Sequence, residues 1–153
     1  MSIETSAPTR ELHGVSPHLV CGGAAETINF YKRAFAAEEL TRLPEPDGKI
    51  IHACLRINGA TVALSDEFPD FGMVGPARLG GSPVTIHLPV ADVDAAVARA
   101  VAAGATVMLD VEDQLWGERY GSIRDPFGHN WSLGTPLGEA PGAVVVALAA
   151  PPG

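Results

Sequence analysis

The 153-residue chain has little of what would mark it for nucleic acid, membranes or secretion. It carries 10 Lys and Arg against 18 Asp and Glu, and its densest basic point is the Lys32-Arg33 pair. Phosphate backbones are bound by clustered cations, so a chain with a formal charge of −8 and no such cluster excludes a nucleic-acid partner. Cysteine is nearly absent. Cys21 and Cys54 match no zinc or redox spacing, and they are predicted to be reduced, buried thiols. The late apolar run from Ala143 to Ala150 is less than half of the roughly 20 residues that a membrane-spanning helix needs. The opening MSIETSAPTRELHG has no charged-then-apolar signal pattern. A soluble, cytoplasmic protein with no membrane partner is the expectation. Also missing are a Gly-x-Gly-x-x-Gly turn, a phosphate loop, an HExxH helix and paired CxxC motifs.

What is present is an ordinary globular composition, 46% apolar and 18% charged, in a chain long enough for one core and too short for two independent ones. After a polar leader, Ser16 to Cys21 reads as a strand. GGAAETINFYKRAF then places Ile28, Phe30, Tyr31, Ala34 and Phe35 at helix spacing. Three strands follow: Glu38 to Leu43, Lys49 to Ile57 and Ala60 to Ser65. PEPDG makes one of the turns between them and Asn58-Gly59 the other. Asp66 to Ser82 has loop composition, with Phe68, Phe71 and Met73 able to cover the mouth of a cavity. Asp66 and Glu67 are expected to be solvated.

The same order then begins again. Pro83 to Val90 is a strand, Asp92 caps a helix over Val93 to Ala103, and Gly104 ends it. Ala105 to Val111, Tyr120 to Arg124 and His129 to Gly134 are strands, the last two joined through DPFG. Shifting the first half forward by 69 residues places His18 on His87, Cys21 on Val90, Ile28 on Val97, Leu40 on Leu109 and Leu64 on Leu133. That correspondence reads as an internal duplication. The fold class is therefore α+β: two βαβββ modules form curved mixed sheets around a pocket, completed or exchanged in a homodimer. One domain is expected, with module one at 15–66, a linker at 67–82, module two at 83–135 and a C-terminal tail at 136–153.

The stretches FYKRAF, ADVDAAVARAVAAGA and RYGSIRDPFGHNWSL together resemble the vicinal oxygen chelate superfamily, the glyoxalase, bleomycin-resistance and dioxygenase group, and within it the PhnB-like branch. In metal-using members of that group, the resemblance implies ligands on the first and fourth strands of both modules. Those positions fall here on Ser16, Thr85, Ser132 and on or near Ala63. Two kinds of hydroxyl and a methyl group do not replace imidazoles and carboxylates, so no metal and no other cofactor is expected.

His18 and His87 lie two positions beyond the ligand positions and, by strand alternation, on the same side. They are the candidate proton-transfer residues, because a neutral imidazole can accept a proton near pH 7. Satisfied core histidines are the plainer alternative. His52, Glu112 or Glu118 would be needed as a third ligand for any noncanonical metal. A small-molecule ligand is expected to meet Ser16, His18, His52, Ala63, Thr85, His87, Trp116, Tyr120 and Ser132. Trp131 falls on the opposite face from Ser132 and is assigned to the core, His129 is read as structural, and Asp125 as a turn cap. Two functions compete: a binding protein of the bleomycin-resistance type, and a lyase or isomerase-like enzyme working through a noncanonical metal or through His18 and His87.

Overall fold

The computed structural model describes residues 14–138. His13, the rest of the leader, and the tail beyond Gly138 lie outside the described residues. The elements are β1 (His18–Cys21), α1 (Ala24–Phe35), β2 (Glu38–Pro44), β3 (Ile50–Ile57), β4 (Ala60–Asp66), α2 (Pro76–Leu79), β5 (Thr85–Pro89), α3 (Val93–Ala103), β6 (Thr106–Asp113), β7 (Glu118–Arg124) and β8 (Asn130–Pro136). A 3-10 turn, Pro69–Phe71, precedes α2, so the central loop is more ordered than its composition predicts.

Two four-stranded mixed sheets result, in the orders β1-β4-β3-β2 and β5-β8-β7-β6. In each, the first strand runs parallel to the fourth and the remaining pairs are antiparallel. Asn58 and Gly59 both have positive φ, 51° and 82°, which is why this pair closes the β3–β4 hairpin in two residues.

The duplication is visible in the ladders. His18 pairs with Ala63 and His87 with Ser132, both members of the second pair standing 69 residues beyond those of the first. The shift is not uniform, however. Thr41 pairs with Cys54 and Leu109 with Ser122, a spacing of 68. Leu109 is thus the counterpart of Thr41, not of Leu40. One residue is lost between the end of the helix and the second strand, and it is regained in the longer turn around Asp125–His129.

The core lies on the helix side of the sheets. Leu19, Ala53, Leu55 and Leu64 are buried under α1, and Leu88, Ile123, Trp131 and Leu133 under α3. The two helices also pack against each other. Trp131, 1% exposed, sits in the core as its alternation predicts, with the rings of Tyr31 and Phe35 at 5.2 and 4.6 Å. Asp92 caps α3 by accepting the Ala95 N–H at 3.1 Å.

Asp66 and Glu67 depart from expectation. Asp66 accepts the backbone N–H of Ala24 at 2.8 Å and of Ile50 at 2.7 Å, joining the helix start to β3. Glu67 accepts the Gly75 N–H at 2.7 Å and bonds Arg78, so both carboxylates organise backbone instead of standing solvated. No described helix is long and apolar enough to cross a membrane.

Candidate functional site

Because the helices occupy one face of each sheet, the opposite faces carry the remaining side chains. Across the first sheet, the ladder aligns His18, Ala63, Cys54 and Thr41; across the second it aligns His87, Ser132, Ser122 and Leu109. His18 and His87 thus hold equivalent places on equivalent faces, both away from the helices, and both are exposed.

Each histidine is tied within its own module. His18 Nε2 lies 3.3 Å from Ser65 Oγ, and its ring meets His52 edge-on at 6.0 Å. Its pKa is lowered from the usual histidine value, first by partial burial and then by the positive charge that His52 can carry. His87 Nδ1 lies 2.9 Å from Ser132 Oγ, and its Nε2 lies 3.0 Å from Glu118 Oε2. A carboxylate only accepts, so Nε2 carries the proton and the Ser132 hydroxyl donates to Nδ1. Tyr120 stacks on His87 at 5.8 Å, and the Trp116 indole meets Tyr120 edge-on at 5.3 Å. Trp116 Nε1 donates to Glu118 Oε1 at 2.9 Å.

The nine predicted ligand-binding residues therefore divide between two faces. His18, His52 and Ala63 belong to the first sheet, and Ser16, just before β1, bonds its hydroxyl to Thr61 Oγ1 at 2.6 Å. Thr85, His87, Tyr120 and Ser132 belong to the second, with Trp116 in the turn entering it. His52 and Tyr120 are counterparts, so each module pairs a histidine with a second ring.

Two surface clefts lie elsewhere. One of about 720 Å³ is lined by Phe35, Asn58, Leu88, Val90, Ala96 and Arg99; one of about 260 Å³ lies beside Lys49, Asp66, Glu67 and Arg78. Neither touches a predicted ligand-binding residue.

Sequence reasoning gave Glu118 only a possible metal role and passed over Gly134. A β-carbon built on Gly134 would stand 2.0 Å from Glu118 Oε2, so the absence of a side chain there is what lets this carboxylate lie over β8 and reach His87. The available signal was alternation: Glu118 is two residues before Tyr120 and shares its face.

The donor set does not fit a resident divalent metal. The positions implied by the resemblance hold Ser16, Ala63, Thr85 and Ser132, and the Ser16 and Ser132 hydroxyls are already bonded to neighbours. Among the described residues no three or more His, Cys, Asp or Glu side chains converge closely enough to hold an ion.

Other residues near the last hairpin are structural. Asp125 is buried; its Oδ1 accepts the Phe127 and His129 N–H groups, and its Oδ2 accepts from Tyr31 and Trp131. His129 is buried, with Nε2 donating to the Val20 carbonyl at 3.1 Å. Arg119 is held by Asp94 and Asp113, and Arg124 by Asn130. Cys21 and Cys54 are free and buried, and burial pushes the Cys21 thiol up to about 12.

Paired strand-helix-strand-strand-strand modules, each forming a four-stranded mixed sheet with its helix on one face, define the class of fold. Residues 13–133 match the Glyoxalase/Bleomycin resistance protein/Dioxygenase superfamily, and the chain belongs to it. Uncharacterized protein Rv0887c of Mycobacterium tuberculosis is 59% identical over 128 residues, 82% of this chain and 75% of its own. Among solved structures, the Arabidopsis thaliana At5g48480 product is 28% identical with a TM-score of 0.65, covering 80% of this chain and 98% of that one. TioX from Micromonospora sp. ML1 is 26% identical with a TM-score of 0.63, covering 82% of this chain and all of the other.

Proposed function

We propose that the chain is a small-molecule binding protein of the PhnB-like kind, holding an organic ligand on the sheet faces that carry His18 and His87. The observation that carries this reading is that polar and aromatic side chains are gathered on both open faces while the family's metal-ligand positions hold residues unsuited to a metal. Both open faces expose apolar side chains, Leu43 on the first and Leu109 on the second with Trp116 beside it, and such surfaces are the kind that a second copy covers. A homodimer would lay one chain's open face against its partner's and turn two faces into the walls of a ligand cavity. No step of the proposal runs through a metal. The described fold contains no membrane-crossing helix, and a cytoplasmic location accords with two unpaired thiols.

Proton transfer is the second reading, and one observation favours it. His18 Nδ1 has no hydrogen-bond partner among the described residues, and its lowered pKa keeps the ring neutral at pH 7, the state of a general base. His87 differs, since both of its ring nitrogens are engaged.

The test is a ligand screen by thermal shift, followed by replacement of both histidines with alanine. The binding reading expects hits whose affinity falls at least about tenfold in the double variant, as loss of polar anchors in a desolvated site does. Hits with unchanged affinity would remove these faces from consideration.

A further inference from the structure

We infer that the Trp116–Glu118–Tyr120 corner of module two recognises the cationic end of a planar aromatic ligand. This rests on the open-face reading above and adds to it the charge and shape of the molecule. Three rings are arranged in series there: His87 against Tyr120 at 5.8 Å, and Tyr120 against Trp116 at 5.3 Å. Trp116 remains 50% exposed, so its ring offers area to an incoming molecule.

Glu118 lies at the centre. Its side chain is only 20% exposed, and both of its oxygens are oriented, Oε1 by the Trp116 indole and Oε2 by His87. A carboxylate held in a partly desolvated place beside aromatic faces attracts a cation more strongly than one in free solution. Each oxygen has a further lone pair, so the two internal bonds orient the group without saturating it.

The surroundings add to the same sign. Glu112 stands opposite Tyr120 in the β6–β7 ladder, and its carboxylate has no hydrogen-bond partner among the described residues. Of the guanidinium groups on β7, Arg119 is paired with Asp94 and Asp113, and Arg124 stands four residues beyond Tyr120 with its Nε donating to the Asn130 amide oxygen. An anion would meet the Glu118 and Glu112 carboxylates at this corner, and a neutral ring would gain only the stacking.

Module one does not repeat the feature. The place equivalent to Glu118 is Ile50, which is buried, and the place equivalent to Tyr120 is His52. The recognition is therefore directional: a ligand's cationic ring goes to module two. Gly134 is part of the device, because any side chain there would displace the Glu118 carboxylate.

Calorimetric titration of the full chain at pH 8 with three probes of one bicyclic shape tests this: N-methylquinolinium, quinoline and quinoline-8-sulfonate. The cation is expected to bind about tenfold more tightly than quinoline, with the sulfonate weakest. Glu118→Gln should erase the preference while leaving quinoline within about twofold, since it removes charge and keeps the shape. Gly134→Ala, which leaves Glu118 in the chain but moves it off His87, should do the same. Trp116→Leu should weaken quinoline and the cation alike.

Equal binding of cation and quinoline, or a preference that survives Glu118→Gln, would overturn the charge assignment and leave the open-face reading standing. Probes that bind with no response to Trp116→Leu or to loss of His18 and His87 would overturn both. Failure of all three probes to bind would overturn the inference.

Discussion

The Tyr31 hydroxyl donates to Asp125 Oδ2 at 2.5 Å, joining the helix of one module to the last hairpin of the other inside the core. Burial and the adjacent Asp125 charge raise the Tyr31 pKa well above the usual phenol value, so the group stays a donor. Asp125 spends its four lone-pair sites on two backbone N–H groups, this phenol and the Trp131 indole, and thereby fixes the turn and the module boundary together. Tyr31→Phe removes one charge-assisted bond and leaves the other three, and should cost about 2 kcal/mol in urea unfolding. A loss within a few tenths of a kcal/mol would show that the modules are held by ring packing alone.

The end of each helix supplies a second prediction. Gly104 closes α3 with φ 126°, while Ala36, its counterpart after the one-residue slip, closes α1 in the left-handed region at φ 55°. An L-residue with a β-carbon is disfavoured there. Ala36→Gly should therefore raise stability, by about 0.5–1 kcal/mol once the added freedom of the unfolded chain is subtracted. An unchanged or lowered midpoint would contradict this.

His18 gives a dependence on acid. Its folded pKa lies below the ordinary 6.5, so the unfolded chain binds the proton more tightly. The contribution is present above that ordinary value and is lost as pH falls through the folded pKa. His18→Asn should flatten the slope of stability against pH on the acid side of neutrality. In His52→Asn, the His18 ring should titrate at higher pH by NMR, because one of the two causes of its shift is gone. A His18 titration indifferent to His52 would mean that burial alone sets it.

Much of this architecture was legible in the residues because local signals agreed. Asp92 and Gly104 bracket α3 to the residue, and Asn58-Gly59 marks its hairpin, since both positions need positive φ. The start of β7 was less visible. Gly117, with φ 91°, turns the chain just before Glu118, and the strand begins two residues earlier than its aromatic pattern implied. Missing that start hid the shared face of Glu118 and Tyr120.

The single-residue slip between modules escaped a gapless comparison because the apolar positions on either side still fell on apolar positions. Asp66 and Glu67 were misjudged for a different reason. A carboxylate in a loop looks solvated until the helix start and strand that need its oxygens are known to lie beside it. His18 and His87 were placed on equivalent faces by alternation alone. That each would be bonded within its own module depended on Ser65, Ser132 and Glu118 lying close in space, which no local pattern carries.

The most direct test of the whole account is native mass spectrometry of the protein purified without chelator. The expected species has the mass of two 15.9 kDa chains and no stoichiometric metal, as follows if the proposed dimer lays one open face against its partner's and the family's ligand positions hold no metal-binding side chains. A monomer at micromolar concentration, or one divalent ion per chain that disappears with His18→Ala or His87→Ala, would contradict it.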